Sequence, residues 1–248
     1  MTKFWCVDVL RIASIYYVIA VVIAMLLYPG GNHIELDQIG YSLHKNFLSE
    51  LGFHKTMSGD LNFFSSFFWN TAMYMILLQG VSFLFIPKLF SENKVSFIFA
   101  CLGTLFMFPA CIFFVGVALT PGDIYFEAHI FTTTAAFNLY TLAILFYVFA
   151  FNAQTMGVLF MTIAFLLSKI SNKYTIVAFI YFINVALYTI FETSEPPPDF
   201  NPFELENVGD FIDYNRFIIS VVWQKIITLI SMVSILIFTF GYRRLIND

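Results

Sequence analysis

The sequence predicts an all-α integral membrane protein, a bundle of six transmembrane helices forming one domain over residues 1–248, with its N-terminus in the cytoplasm. Three observations lead there. Hydrophobic residues make up 60% of the chain and charged ones 11%, with a mean hydropathy of +0.82, which suits a chain whose preferred solvent is lipid. Five stretches reach the roughly 20 mostly apolar residues needed to cross a bilayer, and a sixth nearly does. Lysine and arginine are distributed unevenly among the links, which sets the orientation.

The elements follow in order. The first run, 10–28, ends in YPGGN without a small-residue cleavage site and reads as a retained helix rather than a signal peptide. A polar loop, 29–60, leads to the second span, 61–86. The third, 95–119, stops at the TPGD of 120–123, because proline and glycine cannot continue a helix. The fourth is 127–150, the fifth 174–191 and the sixth 217–241. The segment TMGVLFMTIAFLLS at 155–168 is apolar but only about two-thirds of a bilayer long. If it crosses, there are seven spans and the acidic stretch 192–213 is cytoplasmic. If it is interfacial, re-entrant or part of a bent helix, there are six and that stretch is outside. With six, Lys3, Arg11, Lys88, Lys94, Lys169, Lys173, Arg243 and Arg244 are cytoplasmic, leaving Lys45, Lys55 and Arg216 outside. With seven this asymmetry vanishes, so the positive-inside rule favours six.

Composition also excludes function classes. A net charge of -4 without a basic stripe argues against nucleic acid as a partner. Cys6, Cys101 and Cys111 show no CxxC or metal spacing and read as buried thiols. His33, His44, His54 and His129 show no HxxxH or HExxH pattern, so no metal or other cofactor is expected. The thirty-three Phe and thirteen Tyr read as compositional bias rather than a cofactor box.

The six-span arrangement gathers the polar residues on the outer face: the loop 29–60, the turn TPGDIYFEAH at 120–129 and the loop 192–216 with its SEPPPDFNPFE. In SELG, Ser49 or Glu50 can cap a short helix that ends at Gly52, or the stretch can fold as a cover over the bundle. Asn62 reads first as a cap of helix 2. Asn70 lies eight residues on, nearly the same face, and both amides should point at protein because lipid would leave them unsatisfied. Asp123 closes the turn. Glu127 and His129 open helix 4, where an imidazole most simply is a satisfied polar residue but can also serve as a base, a proton relay or a hydrogen-bond post. Asp210, Asp213 and Arg216 share a helical face and can pair at the surface. Lys225 lies about nine residues, roughly 13 Å, beyond Arg216, so its ammonium must snorkel, meet a carboxylate or line a wet cavity. Trp223 and Gln224 suit an interfacial anchor or an outer-leaflet pocket equally.

Taken in order, Ser49, Leu51 and Gly52, then Asn62, Pro121 with Asp123, His129, and Arg216 with Trp223 resemble the DRAM/Frag/Sfk group of six-span membrane proteins, and more closely its prokaryotic relatives, a domain family of unknown function. The likeness spans about residues 5–241, and the order of motifs carries it. Glu50 stands where aspartate is frequent, and Gly122 splits the Pro-Asp pair. The resemblance implies a role in membrane lipid organisation or scaffolding. The leading expectation is a non-enzymatic protein whose outer pocket binds a lipid headgroup or a protein partner through Ser49, Glu50, Asn62, Asn70, Asp123, His129, Arg216, Trp223 and Lys225, with Arg216 and Lys225 as anion contacts. The alternative is an intramembrane enzyme acting on a lipid or lipid-linked substrate, with His129 as base, Asp123 or Glu127 orienting it and Ser49 as nucleophile. A small-solute transporter is a third reading. A prokaryotic source would put the chain in the cell (inner) membrane.

Overall fold

A computed structural model of the chain describes residues 1–152 and 214–247. Every regular element among them is helical, and five helices are long and apolar enough to cross a membrane, making this a multi-pass membrane protein. β-type pairing is confined, among the described residues, to the isolated bridges Gly30–Ile39 and Lys55–Leu61. The helices are α1 (Leu10–Leu27), α2 (Phe63–Phe83), α3 (Lys94–Leu119), α4 (Phe126–Asn152) and α5 (Tyr214–Asn247). The segments 155–168 and 174–191 and the acidic stretch 192–213 lie outside the described residues, as do Lys169, Lys173, Asp210 and Asp213.

The first span begins earlier than the apolar run suggests. A π-helical stretch, Phe4–Val9, leads directly into α1, so the continuous helix is Phe4–Leu27 rather than one starting near residue 10. Asp8 and Arg11 hide this extension from a hydropathy count. The bundle accommodates Arg11 by letting its Nε donate to Thr239 Oγ1 of α5 at 2.7 Å and by seating the guanidinium 4.4 Å from the centroid of Phe240.

From α1 to α4 successive helices run antiparallel, and the helices pack closely where small residues allow it. A Cβ on Gly80 of α2 would come within 2.8 Å of the Cys111 Cβ on α3, so glycine sets that helix separation. Phenylalanines fill the α3–α4 seam, with Phe106 stacked on Phe146 at 5.5 Å and Phe114 set edge-on to Phe137 at 5.1 Å. Cys6 and Cys111 are buried free thiols and Cys101 is half-buried.

Two ends of the bundle follow from these contacts. The N-terminus, the 3-10 turn Ile86–Phe90 and the C-terminal part of α5 share one end, where Trp5 stacks on Phe85 at 5.5 Å. The long loop between α1 and α2, the turn before α4 and the start of α5 share the other, here called the loop end. There Asp123 accepts hydrogen bonds from the His54 and Lys55 amides, and Gln224 accepts one from Leu48.

Candidate functional site

The loop leaves α1 at Tyr28 and folds on its own polar side chains. Gly30 and Gly31 adopt φ of 147° and 79°, a turn that L side chains resist. The Asn32 Oδ1 then accepts from the Ile34 and Glu35 amides at 2.8 and 2.9 Å, while its Nδ2 donates to Gln38 Oε1 at 2.6 Å. Lys45 pairs with Glu35 at the surface. Asn46, fully buried, ties the two halves of the loop together. Its Nδ2 donates to the Gly31 carbonyl at 2.7 Å and to Glu50 Oε2 at 2.6 Å, and its Oδ1 accepts from the Ser42 amide at 2.9 Å.

Glu50 is the chemical centre of this loop. It sits in the short 3-10 turn Leu48–Gly52 with no exposed surface. Oε1 accepts from the Phe47 amide at 2.8 Å and lies 3.7 Å from His33 Nε2. Burial pushes its carboxyl up to about 7, against the opposing pull of Asn46, the Phe47 amide, Lys225 and Tyr28. The same burial holds the His33 imidazole down at about 4. It also raises the Tyr28 and Tyr41 hydroxyls, which the Glu50 charge raises further.

The loop is clasped to α5 at two adjacent residues. Lys225 Nζ donates to the Asn46 carbonyl at 2.7 Å and to the Val221 carbonyl at 3.0 Å, and lies 5.4 Å from the centroid of the Tyr41 ring. The Gln224 Oε1 accepts the Leu48 amide at 2.7 Å. Asn46 thus joins the two charges indirectly, its side chain donating to Glu50 and its carbonyl accepting from Lys225.

On the α2 side, Asn62 works differently from the expected cap. Its side chain makes no capping bond. Instead Nδ2 turns back to the carbonyls of Glu50, Leu51 and Phe53 at 3.4, 3.1 and 3.0 Å, at the end of the 3-10 turn, where the Glu50 carbonyl also accepts from the Phe53 amide. Ser65 Oγ adds a bond to the Leu51 carbonyl at 3.2 Å. Gly52 lies directly against the Trp69 indole. Asn70 is half-buried with an Oδ1 that is shielded and has no protein partner; Asn62 Oδ1 is in the same position.

His129 is buried, and its Nδ1 bonds to the Thr120 carbonyl at 2.7 Å. Its ring meets Phe53 edge-on at 6.4 Å. Asp123 commits both carboxylate oxygens to the loop backbone, at 3.1 Å from the His54 nitrogen and 2.8 Å from that of Lys55. Glu127 is exposed. Among the described residues, His129 makes no hydrogen bond to Asp123, Glu127 or Ser49, so the geometry does not assemble the catalytic set that the sequence suggested. Arg216 lies in the first turn of α5, and Trp223 is half-buried beside Gln224.

Beneath the loop, between all five helices, is a cavity of ≈ 60 Å³. Ser49 and Leu48 contribute to its lining at the loop end. Trp69, Met73, Ile76 and Phe83 of α2 and Met107, Cys111, Phe114 and Val117 of α3 form an apolar wall. Gln224, Thr228 and Ser231, at helical spacing along α5, put a polar stripe opposite. Gln79 also lines the cavity and donates to Ser14 Oγ at 2.9 Å. Thr133, another lining residue, has a buried Oγ1 without a protein partner, a group that wants water or a ligand. Along α2 the lining runs from Trp69 to Phe83, about 21 Å at 1.5 Å per residue.

Sequence reasoning singled out Ser49, Glu50 and Lys225 but passed over Asn32, Gln38, Asn46 and Gln79. The available signal was that each is an amide in a strongly apolar chain. Asn46 also stands four residues before Glu50. Among the described residues, no three His, Cys, Asp or Glu side chains come together as a metal site would need. No protein-family model, curated protein or solved structure matches the chain.

Proposed function

We propose that this protein is a non-enzymatic, six-span membrane protein that binds a membrane lipid at the loop end, with the headgroup beneath the loop and only the first carbons of the chain entering the central cavity. The observation that carries the reading is the cavity itself. It is walled by α2 and α3 apolar side chains and carries polar groups along α5, at Ser49 and at Gln79 and Thr133, a mixture that suits the junction between a headgroup and its chain. Among the described residues, Lys225 donates to two backbone carbonyls and Glu50 accepts from Asn46 and Phe47. The polar groups that face a headgroup from the described residues are the Ser49 hydroxyl and the Gln224 amide.

The topology belongs to the same proposal. Asn152 and Tyr214 end and begin helices at opposite ends of the bundle, which supports an odd number of crossings between them and six spans rather than seven. Lys3, Arg11, Lys88, Lys94 and Arg243 cluster at the N-terminal end, against Lys45 and Lys55 at the loop end; this supports a cytoplasmic N-terminus and an outward-facing loop. The resemblance to the DRAM/Frag/Sfk group, the lipid partner and, for a prokaryotic source, the inner membrane stand with it. Leu36, Ile39 and Leu43 project from the loop, with Ile39 95% exposed. That favours a protein partner or the membrane interface as a second contact.

Extraction of the protein with its surrounding membrane, followed by native mass spectrometry, tests the reading. Wild type should carry a lipid adduct, and Met73→Trp and Thr228→Trp, which fill the cavity, should lose it while keeping their helical circular dichroism. Adducts at equal occupancy in the filled variants would refute it.

A further inference from the structure

Arg11 is a cation inside a membrane-spanning helix, and most of its hydrogen-bonding capacity is unused. It lies about two turns, roughly 10 Å, into the continuous helix Phe4–Leu27. Its Nε donates to Thr239 Oγ1 at 2.7 Å, and the Thr239 hydroxyl donates in turn to the Leu236 carbonyl at 2.7 Å. A fully buried side chain of α5 thus holds the guanidinium at this depth instead of letting it snorkel to the helix end. The Phe240 ring, 4.4 Å away, covers a face of the guanidinium and accepts none of its in-plane N–H groups. Among the described residues Nε makes the guanidinium's one hydrogen bond, and Nη2 is shielded without a partner. The described ion pairs are His33 with Glu50 and Lys45 with Glu35; Asp8, one turn before Arg11, is in neither. The seam between α1 and α5 opens on the lipid side. Ile15 and Ile19, on the same face of α1 as Arg11, are 50% and 53% exposed, and Phe240 is 60% exposed. Arg243, one turn beyond Phe240 on that face of α5, is exposed as well.

We infer that this α1–α5 seam binds the phosphate of a net-negative phospholipid in the leaflet at the N-terminal end, a site separate from the one at the loop end. A guanidinium held inside a span must meet an anion or water, and lipid phosphate is the anion that every bilayer supplies beside it. The match is geometric as well as electrostatic, because the terminal nitrogens of Arg11 form the planar fork that takes two phosphate oxygens at once. Arg243 stands nearer the membrane surface and adds a second positive charge. Two guanidinium groups exceed the single charge of a phosphodiester, and a choline or ethanolamine headgroup would bring a third cation to the same place. The seam therefore favours a headgroup with net negative charge over a zwitterionic one. The acyl chains lie outside the bundle along Ile15 and Ile19, so no internal cavity has to contain them. The inference rests on the membrane-spanning helices and does not require the loop-end lipid.

The test titrates the full chain, delipidated in detergent, with phosphatidylglycerol, phosphatidylcholine and glycerol 3-phosphate, and counts bound molecules by native mass spectrometry. Wild type should bind one phosphatidylglycerol in preference to phosphatidylcholine, and glycerol 3-phosphate, which has the anion without the chains, should not displace it at equal concentration. Arg11→Gln should weaken that binding by about tenfold or more, the worth of one charge-assisted hydrogen bond. Arg11→Lys keeps the charge without the fork, and Arg243→Gln alters an exposed position; each should weaken it by a smaller factor, which keeps the test open should the glutamine variant at 11 fold poorly. Lys88→Gln removes a charge from the same end of the bundle but outside the seam and should change nothing. Met73→Trp, which fills the central cavity, should retain this lipid. Equal affinity for phosphatidylglycerol in wild type, Arg11→Gln and Arg11→Lys overturns the site. An equal loss in Lys88→Gln overturns it too, by reducing the effect to bulk surface charge, and so does a wild type that does not prefer phosphatidylglycerol. Displacement by glycerol 3-phosphate overturns a lipid as the ligand. Loss of the lipid in Met73→Trp alone assigns it to the loop-end site and overturns the seam.

Discussion

Replacing His33 with glutamine should expose a pH dependence that the wild-type protein conceals. Burial holds the Glu50 carboxyl at about 7 against an ordinary 4.5, so between those values the folded protein keeps a proton that the unfolded chain releases. A raised pKa means stability that is fully present below 4.5 and lost as pH rises through about 7. At ~1.36 kcal/mol per pH unit that interval is worth about 3 kcal/mol. His33 has the opposite sign. Its imidazole, held at about 4 against an ordinary 6.5, gives stability that is present above 6.5 and lost as pH falls through about 4, again about 3 kcal/mol. With both groups in place the slopes cancel between pH 4.5 and 6.5, leaving a nearly flat profile. His33→Gln should then gain stability on acidification from pH 7 to 4.5, and Glu50→Gln should lose it. The groups that face Glu50 are His33, Asn46 and the Phe47 amide within the loop, Tyr28 before it, and Lys225 from α5. Both single variants leave the remaining neighbours in place. Reversible unfolding of the solubilised protein across this pH range, read from tryptophan emission, measures the three profiles. A flat His33→Gln profile, or a Glu50→Gln variant that gains stability in acid, would refute the assignment of the two slopes.

Three further outcomes can be checked by thermal unfolding in detergent. Gly52→Ala puts a Cβ 2.4 Å from the Trp69 ring, which is itself 3% exposed and cannot retreat, so it should cost about 1–3 kcal/mol and redshift the tryptophan emission. Asn62→Ala strips the donor shared by three buried carbonyls. It should cost about 1–3 kcal/mol, and a glutamine there should not restore it because the amide would be carried past its acceptors. Asp123→Ala frees two exposed loop amides; water replaces the carboxylate, so a loss of about 1 kcal/mol or less is expected, together with faster hydrogen exchange at His54 and Lys55.

Much of the framework was legible because lipid imposes a simple rule. A crossing helix must be long and apolar, and α2, α3 and α4 follow the apolar runs to within a few residues. The start of the first span was not, because Asp8 and Arg11 interrupt the apolar count while Thr239 and Phe240, more than 200 residues away, provide for Arg11. The SELG stretch was readable as a capped short helix or as a cover, and the structure makes it a short 3-10 turn at the loop end. The energetics there were not legible, since Asn46 serves Gly31, Glu50 and Ser42 at once and no local pattern announces a side chain whose partners are so scattered. Asn62 shows the same limit. An asparagine before a helix fits a cap by every local criterion, yet here it satisfies carbonyls of the preceding turn.

By itself the sequence determined the solvent, the helical class and the placement of polar residues in the links, because transfer free energies act residue by residue. The tertiary structure alone decided which charges meet. It set Glu50 and Lys225 on either side of Asn46, turned His129 to the Thr120 carbonyl, and left a cavity of mixed polarity lined as far as Phe83. Those outcomes depend on distances between helices remote in sequence, and hydrogen bonds and packing act only at contact.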